Sequence, residues 1–272
     1  MLKDITIGQY FPKDSIVHRL DPRTKIIITF IYIISLFLVK EFTGYIYVIS
    51  FVLLSIFLSK INISFVLKGL KPLAIIIGIT IIINMLLTPG EVIYKLGPLK
   101  VTIEGLRLAG FMALRLVFLV VGTSLLTLTT SPIALTDGIE FIVKYIPFGK
   151  KYAHELAMMM TIALRFIPTL MEETDRIMKA QMARGADFES GNILQRAKSL
   201  VPLLVPLFIS AFRRADELAV AMEARCYRGG ENRTRMKELQ IHTRDVFAYG
   251  VMGILVTLII INPYLMGMIQ GA

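Results

Sequence analysis

Apolar runs that approach the thickness of a lipid bilayer recur along this 272-residue chain, and they limit its fold more than anything else in it. A hydrocarbon core about 30 Å thick takes roughly 20 apolar helical residues at 1.5 Å each. Five segments approach or meet that length: 26–39, 44–58, 72–87, 108–130 and 246–267. The first three are short, so polar flanks or local thinning of the bilayer complete them. Lys25 and Lys40 bracket the first, and their stems reach the interfaces. Backbone groups in hydrocarbon must be satisfied within the segment, which leaves only helices. The expected fold is therefore all-α and polytopic, with about five transmembrane helices. Only 18% of residues are charged, against about 25% in a soluble domain.

The basic residues set an orientation. Lys3, Lys13, Arg19, Arg23 and Lys25 precede the first span, and Lys60, Lys68 and Lys71 follow the second. Residues 131–245 hold 17 of the 30 Lys and Arg side chains. The opposite side has Lys40, Lys95 and Lys100, and nothing basic follows Arg244. By the positive-inside rule the amino terminus and residues 131–245 face the cytoplasm, and the carboxyl terminus ends outside. The first 25 residues are mixed and polar, with no small-residue cleavage site after the first span, unlike a signal peptide. Asp21 and Pro22 read as the N-cap and first residue of a helix. Thr88-Pro89-Gly90 and Leu96-Gly97-Pro98 punctuate an alternating stretch expected to be an outside hairpin or loop.

The chain thus divides into an amino-terminal segment (1–25), spans one to four (26–130), a cytoplasmic module (131–245) and a final span (246–272). The module reads as helices. The first covers 134–145 and is ended by Pro147 and Gly149. A second covers 152–185, with Pro168 expected to kink it. A third runs from about 193 to 227, interrupted by Pro202 and Pro206 and closed by Gly229 and Gly230. Residues 199–212 are short and contain two prolines, so they are not counted as a span, with one further hairpin through the bilayer as the alternative. Ala211, Ala215 and Ala219 recur at intervals of four, which lets another helix approach closely. Met158, Met159 and Met160 form a soft, adaptable patch. Both features also suit ordinary packing within the chain.

The two long helices end alike, in Ala183-Arg184-Gly185 and Ala224-Arg225-Cys226. Each places an arginine at a helix carboxyl end between small neighbours. Complementing the helix dipole, worth about 0.3–1 kcal/mol, accounts for either alone. Two copies 41 residues apart point instead to docking, because a planar five-donor guanidinium suits carboxylate and carbonyl acceptors in a partner's pocket.

Other classes find little support. No Gly-x-x-x-x-Gly-Lys-Ser/Thr loop occurs, so the chain is not expected to hydrolyse ATP. His154-Glu155-Leu156-Ala157-Met158 starts like a zinc-protease helix but has Met158 where the second histidine is needed. His18, His154 and His242 are scattered, and the one cysteine excludes a disulfide framework or cysteine cage. Residues 131–245 carry 14 acidic side chains against the 17 basic ones, and no aromatic platform interleaves them, which argues against nucleic acid. Arg115 is the one deeply placed charge, expected to face a helix interior, with no identifiable carboxylate partner.

With those motifs in view, the sequence resembles the transmembrane coupling components of energy-coupling factor transporters, the vitamin and metal-ion importers of prokaryotes. The likeness runs over nearly the whole chain, from His18-Arg19-Leu20-Asp21-Pro22-Arg23-Thr24-Lys25 through the spans and the helical module. The twin Ala-Arg-small motifs are its most specific part, with Cys226 where glycine or serine is expected. The resemblance implies that Arg184 and Arg225, with their neighbours, dock into two cytoplasmic ATP-binding-cassette ATPases, one motif per subunit. It implies a third partner in the bilayer, a substrate-binding S component, with Met158–Met160 and the Ala211, Ala215, Ala219 stripe as candidate contacts. ATP-driven motion of the ATPase pair would tip that component in the membrane. It implies no cofactor, metal or catalytic residue in this chain. The rival is a conventional permease lining its own solute path; few polar groups lie within the spans, Asn84 and Arg115 being the main ones.

Overall fold

The computed structural model describes residues 10–96, 99–147, 152–188, 192–229 and 239–270. It separates into two compact units, Gly8–Gly138 with Leu239–Ala272, and a second within Ile139–Glu238.

In the first unit, helix α1 (Pro22–Leu38) starts as expected: Asp21 Oδ1 accepts the Arg23 backbone N–H at 2.9 Å, and Pro22 opens the first turn. Helix α2 (Gly44–Ser59) stops where Lys60 adopts a left-handed φ of 56° and its N–H turns back to the Phe57 carbonyl. Helix α3 (Ile63–Lys68), capped by Asn62, leads through a 3-10 turn at Lys71–Leu73 into α4 (Ala74–Leu87). Strands β1 (Val92–Leu96) and β2 (Leu99–Thr102) pair antiparallel, so the alternating stretch is a hairpin; Gly97 and Pro98 lie outside the described residues. Thr102 then caps α5 (Ile103–Thr129), its Oγ1 accepting the Gly105 N–H at 3.1 Å. Helix α6 (Pro132–Lys144) follows. The proposed stop at Gly149 lies outside the described residues.

Among the described residues, three helical segments are long and apolar enough to cross a membrane: Ile63–Leu87, α5, and Thr243–Tyr264 of the last helix, Thr243–Gln270. The first of these begins nine residues before the expected span, because the 3-10 turn joins α3 to α4 without breaking the helical path. Helix α2 is apolar but has 16 residues, and α1 has 17 with Arg23 and Lys25 in its first turn.

The core of this unit is drawn from α1, α2, α5 and the last helix: Tyr32, Leu36, Val48, Val52, Val121, Met252, Leu255 and Ile259 are buried together. Two tyrosines enter it with their hydroxyls satisfied, Tyr32 donating to the Phe118 carbonyl at 3.0 Å and Tyr45 to that of Phe111 at 3.1 Å. Gly122 packs against the Tyr32 ring so closely that an added Cβ would collide with it, and this lets α5 approach α1. The outer surface is apolar instead of polar. Phe57 is 81% exposed and Ile75 73%, with Phe30, Ile46, Leu53 and Ile254 also outward. A surface of that composition has lipid as its solvent.

A buried polar knot ties the amino-terminal segment to three helix ends. Asp245 Oδ1 accepts the Asp21 N–H at 2.9 Å, and its Oδ2 accepts the His242 N–H at 2.8 Å. Arg23 pairs with Asp21 at 2.9 Å. Lys25 Nζ donates to the carbonyls of His18 and Thr129. The knot makes the His18–Lys25 stretch a structural clasp, each buried charge meeting a partner as burial demands.

The second unit is built on two long helices, α7 (Ala153–Ala183) and α8 (Ile193–Ala224). Pro168 lies inside α7 without ending it, and α8 runs unbroken through Pro202 and Pro206, where an interruption was expected. Proline at 206 frees the carbonyl four residues earlier. Gln181 Nε2 of α7 reaches that Pro202 oxygen at 3.4 Å, which helps the helix continue. Gly229 carries a φ of 91° just beyond α8, while Gly230 lies outside the described residues. The last helix, Thr243–Gln270, is α9.

Candidate functional site

The carboxyl ends of α7 and α8 are built to one plan. At α7, Ala186 N–H donates to the Gln181 carbonyl and Gly185 N–H to that of Met182, both at 3.0 Å. At α8, Tyr227 N–H donates to the Met222 carbonyl at 3.0 Å and Cys226 N–H to that of Glu223 at 2.8 Å. This is the Schellman pattern, which satisfies the last carbonyls and needs a left-handed residue after the cap. Gly185 (φ 87°) and Cys226 (φ 57°) occupy that position. The arginines before them have almost the same backbone, φ −91° and ψ 8° for Arg184, φ −92° and ψ 13° for Arg225. Both arginines and their neighbours Ala183, Gly185, Ala224 and Cys226 are exposed. Two guanidinium groups therefore stand at rigid, equally shaped helix tips.

A second pair repeats the same spacing. Arg214 Nη2 of α8 donates to Glu173 Oε2 of α7 at 2.8 Å. A hydrogen bond from Ser210, and then the Arg214 charge, hold the Glu173 carboxyl below the ordinary carboxylate range. Glu173 and Arg214 are also 41 residues apart, so they are matched positions in the two arms. With the Gln181–Pro202 contact, the pair runs the helices antiparallel. Each arginine tip lies 11 residues beyond the ion pair, roughly 16 Å along its own helix. The tips therefore face opposite ways, up to about 33 Å apart. The acidic Glu172-Glu173 and basic Arg213-Arg214 doublets at matched positions were a signal in the sequence; aligning the helices at the arginine motifs finds them.

The remaining candidates sit on the same helices. Met158 is half-buried while Met159 and Met160 are exposed, and Ala215 and Ala219 are exposed with Ala211 half-buried. His154 Nδ1 lies 3.4 Å from Glu140, and among the described residues no group of His, Cys, Asp or Glu could hold a metal ion. Among the described residues, Arg115 meets no carboxylate. Its Nη2 donates to the Val39 carbonyl at 3.3 Å, and the guanidinium lies 5.2 Å and 5.0 Å from the ring centres of Phe37 and Phe111. A carbonyl and two aromatic faces offset part of the cost of holding this cation without a counter-charge, and side-chain spacing in a sequence does not reveal them.

Lipid-type outer faces, membrane-length helices and a separate unit of long amphipathic helices define an all-helical, polytopic membrane protein. Residues 13–236 match the family model described as cobalt transport protein (CbiQ). Relatives named energy-coupling factor transporter transmembrane protein EcfT are similar over nearly the whole chain. That of Thermosediminibacter oceani is 62% identical over 256 residues, 93% of this chain and 96% of its own. That of Clostridium kluyveri is 63% identical over 250 residues, 91% and 93% of the two chains. That of Bacillus subtilis is 51% identical over 240 residues, 88% and 91%. The chain belongs to this family, the transmembrane components of energy-coupling factor transporters.

Proposed function

We propose that this transmembrane component couples two cytoplasmic ATP-binding-cassette ATPase subunits to a membrane-embedded, substrate-binding S component for uptake of a vitamin or metal ion. The observation that carries the reading is the pair of exposed arginine tips, equal in shape and facing opposite ways on one helix pair. Two tips too far apart for one pocket suit two sockets, one in each ATPase. Residues 131–245 are the cytoplasmic coupling module in this reading, and 26–130 with 246–272 the membrane part. The amino terminus is cytoplasmic and the carboxyl terminus outside, by the distribution of Lys and Arg. Met159, Met160, Ala215 and Ala219 are open for S-component contact. Hydrolysis of ATP belongs to the ATPases. Their opening and closing moves the tips, and the rigid helices pass the displacement on to the S component.

The test is charge reversal at both tips. Arg184→Glu with Arg225→Glu keeps membrane insertion but abolishes uptake and ATPase copurification, because a reversed charge meets a pocket shaped for a cation. ATPases recovered in normal yield with the double variant would refute the docking roles. Recovery of the native protein with a soluble external binding protein, in place of a small membrane one, would favour a conventional permease.

A further inference from the structure

Within the first unit, a cavity of about 220 Å³ opens between α1, α2, α5 and α9. Ile28, Tyr32, Phe51, Leu125, Phe247 and Val251 form much of its wall. It extends from Lys25 to Tyr32 along α1 and from Arg244 to Val251 along α9, so it runs about 10 Å along the helices. A cavity lined this way does not favour water, and hydrocarbon fits it. The charged lining residues, Lys25 and Arg244, lie at one end. Lys25 is committed to two backbone carbonyls. Arg244 is exposed, and it also lines an adjoining concavity of about 630 Å³ with Lys60, Arg19 and Asp14. Arg19 and Asp14 pair with one another. Lys13 Nζ donates to the Lys60 carbonyl, which brings a further cation to the rim. The rim is therefore positive after its one acidic side chain is matched. Arg244 also sits in the first turn of α9, where a cation opposes the helix dipole and adds to the positive field.

We propose that this cleft is a binding site for an anionic phospholipid, with an acyl chain between α1, α2, α5 and α9 and the headgroup phosphate at Arg244 and Lys60. Charge complementarity selects this occupant: a basic pocket between membrane helices at an interface matches an anionic headgroup. A zwitterionic phospholipid fills the apolar part equally well, but it brings a cation of its own to the positive rim beside its phosphate and so gains less there. The proposal depends on the membrane-spanning fold and not on the partners of the arginine tips.

The chain has no tryptophan, so a single reporter can be placed on the cavity wall. Full-length Phe51→Trp, at a half-buried position of the wall, is reconstituted in phosphatidylcholine nanodiscs containing a small fraction of lipid brominated in its acyl chains. Brominated phosphatidylglycerol should quench the tryptophan at several-fold lower mole fraction than brominated phosphatidylcholine. Adding Arg244→Gln should weaken that preference, and Arg244→Gln with Lys60→Gln should abolish it, so that the two brominated lipids quench alike. Both side chains are exposed, and an unchanged melting temperature excludes misfolding. Equal quenching by the two lipids before those substitutions overturns the proposal, as does a preference that survives both of them. Loss of the preference on adding millimolar inorganic phosphate also overturns it, in favour of a free-anion site. A copurifying protein segment that shields the tryptophan from both lipids does so as well.

Discussion

Cys226 holds a backbone conformation that favours glycine, with φ at 57° after the α8 cap, while Gly185 holds the matching place on α7. A side chain in the left-handed region costs roughly 1–2 kcal/mol. Cys226→Gly should therefore make the α8 end harder to fray by about 1 kcal/mol, read as slower amide hydrogen exchange around residues 222–227. In the first unit, His18 is half-buried, with Nδ1 2.7 Å from Ser15 Oγ and Nε2 3.0 Å from the Phe11 carbonyl. Burial lowers its pKa from 6.5. The unfolded chain then binds the proton more readily, so stability falls as pH drops below about 6.5 towards the lowered folded value. Thermal unfolding between pH 5 and 8 should show that loss, and His18→Gln should flatten it. Single residues were legible where their partners are local in sequence: Asp21 and Pro22 announced the start of α1. The Arg115 partners come from α1 and from the same helix one turn away, and only tertiary packing brings a carbonyl and two rings around it.

Between α7 and α8, the Glu173–Arg214 pair is partly exposed, so its net worth is on the order of 0.2–1 kcal/mol. Its use is in register: it fixes where two long antiparallel helices meet. Glu173→Arg or Arg214→Glu alone should loosen the pair, and the two together should restore it. A double-mutant cycle of thermal unfolding with a coupling of several tenths of a kcal/mol or more checks this; no coupling would remove the ion pair from the register argument. Helix existence was readable from apolar periodicity, but continuity was not. Pro202 and Pro206 predict a break in α8, and what offsets it is a side chain from another helix, Gln181, which no local rule can see. The same holds for the α3–α4 path, where a short turn keeps its hydrogen bonds through Lys71–Leu73 and lengthens the apolar segment.

For the whole molecule, the one cysteine is a natural reporter of orientation. It is exposed, beside Arg225. A membrane-impermeant maleimide should label it in inside-out vesicles and not in right-side-out ones. Added ATPase subunits should protect it, if they seat on that tip. Labelling from the outer face would reverse the proposed topology. Polytopic helical character was plain from apolar runs alone, because a bilayer dictates helix length and composition so strictly. Which helices share a core was not, since lipid-facing and protein-facing positions are equally apolar. Only packing distinguishes Leu36, fully buried, from its neighbour Phe37, which is 58% exposed.

The matched spacing from the Glu173–Arg214 contact to the two arginines has a mechanical meaning. A beam pivoted there would have equal arms, and equal and opposite strokes at its two extremities would turn it without translation. Lengthening one arm by a single helical turn would unbalance it by about 5 Å, so insertions and deletions in either helix should be tolerated only when made in both.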